Sequence, residues 1–152
     1  MRLLYVEDED EKAKAVVDYL VEAHSIDLMK SYTSGVRAIY EREYDLILLD
    51  MSLPLYDYDS EDNEDNEFDT FAGIDIIEEL IRLSRQEKVA IITAFDILGE
   101  GDNKVDIYQL DKKMQQDYSE IYLGIIHYNA SSLEWKRELQ EIIEKHENTS
   151  SR

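Results

Sequence analysis

The segment Asp45-Leu-Ile-Leu-Leu-Asp50 constrains the fold of this chain more than any other. Four consecutive aliphatic residues without polar alternation indicate a strand buried on both faces, as in a parallel sheet covered by helices on each side. Arg2–Val6 and Lys88–Thr93 are similar short apolar runs, and residues 26–32 and 121–128 complete a set of five predicted strands. Between them, apolar residues recur at helical spacing. Ala13, Val16, Val17, Leu20 and Val21 mark one helix, residues 36–43 a second, Ile74, Ile77, Leu80 and Ile81 a third, and Leu139, Ile142 and Ile143 a last one over 133–147. A further helix is expected near 105–114. Strands alternating with helices predict an α/β fold with right-handed crossovers.

Composition narrows the function. The formal net charge is -20, from 36 acidic against 16 Lys and Arg residues. Phosphate backbones and anionic lipid need clustered cations, so nucleic acid and membrane are expected not to be direct partners. Cysteine is absent, which removes disulfides and thiolate metal sites. No apolar run is long enough for a signal peptide or a membrane span. A cytoplasmic location is the expectation.

In an open α/β sheet, ligands bind beyond the carboxyl ends of the strands. Glu7 and Asp8 leave the first strand there, Asp50 ends the third and Thr93 the fourth. If the first and third strands are neighbours, three carboxylates and a hydroxyl share one small site. Like charges that close need a cation, and Mg²⁺ suits a few carboxylates with retained waters. A carboxylate in such a site can attack a phosphoryl group and form an aspartyl-phosphate.

These residues also carry a resemblance. Leu3-Leu-Tyr-Val-Glu-Asp-Glu9 resembles the first strand and acidic pair of response-regulator receiver (CheY-like) domains. Thr33-Ser-Gly-Val-Arg-Ala38, then Tyr44-Asp-Leu-Ile-Leu-Leu-Asp50-Met-Ser-Leu-Pro54, resembles their second-helix start and phosphoacceptor strand. Gly73-Ile-Asp-Ile-Ile77 and Val89-Ala-Ile-Ile-Thr93-Ala94 resemble the third helix and fourth strand. The resemblance covers residues 2–94 well and the rest loosely. It implies a flavodoxin-like, doubly wound five-stranded parallel sheet of order 2-1-3-4-5, with helices on both faces. It implies a two-component signalling module in which Asp50 accepts a phosphoryl group from a histidine kinase or phosphotransfer protein. Glu7, Asp8 and Asp50 would bind Mg²⁺ or Mn²⁺ by side chain and Ser52 by its backbone carbonyl, with Thr93 as the switch hydroxyl. The expectation is a stand-alone phosphoacceptor without enzymatic turnover beyond its own phosphorylation and dephosphorylation, signalling to a downstream protein, with a homodimer as an option. The alternative is a pseudo-receiver that binds partners or dimerises without phosphate. An aspartate-nucleophile phosphohydrolase is disfavoured, since Met51 and Ser52 follow Asp50 where that class resembles Asp-x-Asp.

Three features depart from the family pattern. The family places a Lys at the end of the fifth strand, yet no lysine lies between Met114 and Trp135. Alignment on the last helix puts His127 at that position; alignment on Tyr122 puts Ile125 there. Residues 56–69 carry eight acids and no base, which predicts an acidic loop insertion. Tyr56, Tyr58 and Phe68 are expected to anchor it. Residues 95–119 form an unusually extended segment. The whole reads as one domain over 1–147 with a polar tail, 148–152.

Overall fold

The computed structural model describes residues 1–58, 67–99 and 101–150, except the side chains of Asn103 and Ser150. Five parallel strands form the central sheet: β1 (Arg2–Val6), β2 (Ser25–Met29), β3 (Leu46–Leu49), β6 (Lys88–Thr93) and β9 (Tyr122–His127), in the order β2-β1-β3-β6-β9. This is the 2-1-3-4-5 order of the sequence expectation. Two antiparallel pairs lie outside it: β4 (Leu53–Pro54) with β5 (Phe68–Asp69), and β7 (Ile97–Leu98) with β8 (Val105–Asp106).

Side chains alternate across each strand, so the continuous apolar runs supply two cores at once. Leu4, Val6, Ile47, Leu49, Val89 and Ile91 face one way. There they meet α2 (Tyr32–Glu41), α3 (Ala72–Arg82) and α4 (Ile107–Asp117) through Ile39, Ile76, Leu80, Leu110 and Met114. Leu3, Tyr5, Leu46, Leu48, Ala90 and Ile92 face the other way. They pack on α1 (Asp10–Leu20) and α5 (Glu134–Ser150) through Val16, Leu20, Trp135, Leu139 and Ile143.

Helix starts follow local hydrogen bonding. Glu9 caps α1 by accepting from the N–H groups of Glu11 and Lys12. Ser31 and Ser34 form a reciprocal capping box that starts α2 four residues before its predicted onset and ends β2 at Met29. A second capping box, Asp106 with Gln109, starts α4. The extended segment thus folds as the β7–β8 pair followed by α4. α5 continues to Ser150, past the predicted helix end at 147; of the polar tail, 151–152 lie outside the described residues.

The acidic segment leaves Pro54 and returns at Phe68 as a strand pair, closed by Leu55 N–H donating to Glu67 O at 2.8 Å. Residues 59–66 of it lie outside the described residues. Tyr58 and Phe68 are more than half exposed rather than packed down as anchors. Past this segment, Gly73 brings α3 against the Asp50 loop: its N–H donates to Met51 O at 2.9 Å, and a Cβ there would lie 3.1 Å from Asp50 O and 3.2 Å from Met51 Cα. Both neighbours are backbone and cannot rotate away. Gly73→Ala is therefore expected to cost about 1–3 kcal/mol, read as a lowered urea midpoint at unchanged slope.

Candidate functional site

Glu7, Asp50 and Thr93 reach the carboxyl edge because β1, β3 and β6 run in register. Val6 pairs with Leu49, and Leu49 with Ile91. Glu7 and Asp50 are the next residues in their strands, and Thr93 lies two beyond Ile91. Glu7, Asp8 and Asp50 each offer a carboxylate oxygen, and these oxygens all lie within 4.8 Å of one another. Glu7 and Thr93 are fully buried, Asp50 nearly so and Asp8 partly.

The electrostatics match that crowding. Burial pushes the Glu7 carboxyl up to about 7; the neighbouring Asp50 adds to the rise and Lys12 opposes it. Asp50 is also raised, first by burial, again against the pull of Lys12. Asp8 is raised by burial and by the charge of Glu7. Hydrogen bonds fix the carboxylates. Tyr5 Oη donates to Glu7 Oε1 at 3.2 Å, Glu9 N–H to Glu7 Oε2 at 3.2 Å, and Met51 N–H to Asp50 Oδ1 at 2.8 Å. Tyr58 Oη, from the base of the acidic segment, donates to Asp8 Oδ2 at 3.4 Å.

The remaining sequence-selected residues lie close by in different settings. Thr93 Oγ1 accepts from Phe95 N–H at 3.2 Å. Ser52 is buried, with its hydroxyl donating to Thr70 O at 2.8 Å. His127 sits opposite Thr93 in the β6–β9 register, whereas Ile125 sits opposite Ile91. An irregularity in β9 between Tyr122 and Gly124 sets this register. The His127 ring, however, is turned to Asp96, with Nε2 2.9 Å from Asp96 Oδ1 as an ion-pair contact outside hydrogen-bond geometry.

One residue was missed from the sequence. Lys12 of α1 is buried at 2% exposure. Its Nζ lies 2.5 Å from Glu7 Oε1 and 3.5 Å from Asp50 Oδ1, and donates to Ile92 O at 2.8 Å. The signal was its spacing: Lys12, Val16 and Leu20 stand at i, i+4 and i+8, which places a lysine on the apolar stripe of α1.

The edge can hold a hard divalent cation. All its donors are oxygens, as Mg²⁺ and Mn²⁺ prefer. Three carboxylates and one ammonium leave a formal charge of -3 + 1 = -2, which one such ion balances.

No family model matches the chain. It is similar to the Detocs response regulatory protein DtcB of Enterobacter cloacae, at 26% identity over 143 residues, covering 91% of this chain and 95% of that one. Among solved structures it resembles a response regulator receiver domain protein (CheY-like) from Methanospirillum hungatei, at TM-score 0.64 and 15% identity, covering 99% of this chain and 96% of that one. The chain has a response-regulator receiver (CheY-like) fold. A second structural neighbour of this receiver fold is the response regulator protein TrrA from Thermotoga maritima, solved in complex with Mg²⁺-BeF. That likeness has TM-score 0.57 and 17% identity and covers 93% of this chain and 97% of that one. Within the receiver fold, the carboxylates gather at the strand edge where the sheet order reverses about β1 and β3, the usual ligand position of doubly wound sheets. Among the described residues, no helix is long and apolar enough to cross a membrane.

Proposed function

We propose that this chain is a phosphoacceptor of two-component signalling, taking a phosphoryl group on Asp50 from a histidine kinase or phosphotransfer protein. The observation that carries this reading is the convergence of Glu7, Asp8 and Asp50 at the end of β3, beside Thr93. An Asp50 oxygen forms the new O–P bond as the bond from phosphorus to the donor breaks, and the electron pair leaves with the donor. The side chains of Glu7, Asp8 and Asp50 and the Ser52 carbonyl would hold Mg²⁺ or Mn²⁺, which when bound offsets charge on the phosphoryl oxygens. Met51 N–H orients the Asp50 carboxylate. The Thr93 hydroxyl donates to a phosphoryl oxygen and so pulls on the segment that starts at Phe95, where Phe95, Ile97 and Tyr108 are exposed for a downstream protein. The chain acts as an acceptor and signal, without turnover of a free substrate.

Acetyl phosphate with Mg²⁺ is the test. Intact-mass measurement is expected to show one added phosphoryl group, labile to hydroxylamine and mapped to Asp50. Absence of any adduct or Mg²⁺-dependent change in the wild type would sink this reading.

One observation favours the alternative, a pseudo-receiver that binds its partner without phosphate. Lys12 already offsets part of the pocket's charge from within the chain. That alternative predicts that Asp50→Asn leaves partner binding intact.

A further inference from the structure

The family's fixed ammonium at the end of the fifth strand is missing here, and the residue nearest that place, His127, is turned to Asp96. A buried ammonium is nevertheless present, and it comes from another element. Lys12 reaches from the first turn of α1 to the ends of three neighbouring strands: Glu7 after β1, Asp50 after β3 and the Ile92 carbonyl within β6. These three residues follow Val6, Leu49 and Ile91, which stand at one level of the sheet. The Lys12 ammonium therefore lies at the level of Glu7, Asp50 and Ile92, one residue before Thr93.

Its contacts are unequal. Glu7 Oε1 at 2.5 Å and Ile92 O at 2.8 Å hold the nitrogen in place. An ammonium has three N–H donors, and Asp50 Oδ1 lies 3.5 Å from the nitrogen, beyond hydrogen-bond length. Two strong contacts thus hold the nitrogen beside the accepting carboxylate without a hydrogen bond to it. A phosphoryl group on Asp50 brings anionic oxygens to this point. A purely structural role explains the arrangement poorly, because burying a charged pair gains little stability over an apolar contact of the same volume.

We propose that Lys12 is the phosphoryl-binding cation of this receiver, supplied from α1 in place of the strand-end lysine. The proposal rests on the reading of Asp50 as phosphoacceptor and adds which residue pairs with the group. It also implies opposition between ligands. Lys12 attracts an anionic phosphoryl group but shares Glu7 and Asp50 with a divalent cation and repels it.

Beryllofluoride, a mimic of the bound phosphoryl group, separates these effects. Mg²⁺ alone and then beryllofluoride at saturating Mg²⁺ are titrated calorimetrically into wild type and Lys12→Gln, each checked for folding by circular dichroism. Lys12→Gln is expected to weaken beryllofluoride roughly 10- to 100-fold, the size of one charge-assisted hydrogen bond, with Mg²⁺ binding unchanged or tighter. Beryllofluoride affinity within threefold of wild type in the folded variant overturns the proposal, as does parallel loss of both ligands, which marks a structural tie. Should Lys12→Gln not fold, the wild type carries the test. The ¹³Cε resonance of Lys12 is expected to move on beryllofluoride saturation beyond any shift with Mg²⁺ alone, and a static resonance overturns the assignment. Failure of the wild type to bind beryllofluoride at all counts instead against the phosphoacceptor reading.

Discussion

Asp50→Asn is expected to abolish uptake of a phosphoryl group and to remove most of the stabilisation that Mg²⁺ gives the folded protein. Asparagine has nearly the same shape, and its carbonyl oxygen keeps the bond that Met51 N–H makes to Asp50 Oδ1. The change therefore deletes a charge and a nucleophile with little repacking. Without metal, Glu7, Asp8 and Asp50 crowd within 4.8 Å, and burial already drives Glu7 up to about 7. Removing one of these carboxylates relieves repulsion, so metal-free Asp50→Asn should match or exceed the wild type in stability. With metal the order reverses. A ligand that binds only the folded state adds about 2.7 kcal/mol at one hundred times its dissociation constant. In the variant that increment should fall below about 1 kcal/mol at the same Mg²⁺ concentration, because affinity for the ion is lost. Urea unfolding with Mg²⁺ and with chelator, for both proteins, gives the four values required. Equal Mg²⁺ increments in the two proteins would show that Asp50 is not a ligand.

Trp135→Ala should be the most damaging single change away from the site. Trp135 is 3% exposed at the start of α5 and meets two aromatic rings. Tyr19 packs edge-on at 5.7 Å and 74°, and Tyr128 is tilted at 5.2 Å. Lys136 Nζ lies 5.6 Å from the ring centres of Tyr19 and Trp135, capping the cluster. Its burial against Tyr19 of α1 and Tyr128 just after β9 places Trp135 in the core. Truncation should cost about 3–5 kcal/mol, a large share of the roughly 5–15 kcal/mol that holds an ordinary domain folded. Circular dichroism in urea measures this, since the variant has no tryptophan to follow. A loss under about 1 kcal/mol would mean the side chain is not packed as described.

Much of this was legible because its causes are local. The runs Leu46–Leu49 and Lys88–Thr93 read as strands buried on two faces, and each face now touches its own helical layer. Element edges were less legible where a side chain decides them. Ser31 reads as part of a strand by its neighbours, yet its bond to Ser34 N–H turns the chain into α2. The β7–β8 pair was not foreseen, because two residues on each side are too few to show alternation.

The sequence by itself determined the alternating elements and set Glu7, Asp8, Asp50 and Thr93 at predicted strand ends, because hydrophobic period and strand-end position are properties of neighbours along the chain. The strand order that gathers those residues at one edge came from the resemblance to receiver domains, and the sheet has that order. Only the tertiary structure shows which cation lies among these carboxylates. His127 was the sequence's candidate by position, but its ring went to Asp96. Lys12, five residues from Glu7 in an acidic stretch, was not singled out by the sequence. Its placement depends on α1 lying across β1 with its Val16 and Leu20 face inward, which aims the lysine stem down onto Glu7, Asp50 and Ile92. The meeting of one helix with three strand ends fixed that contact, and no local period encodes it.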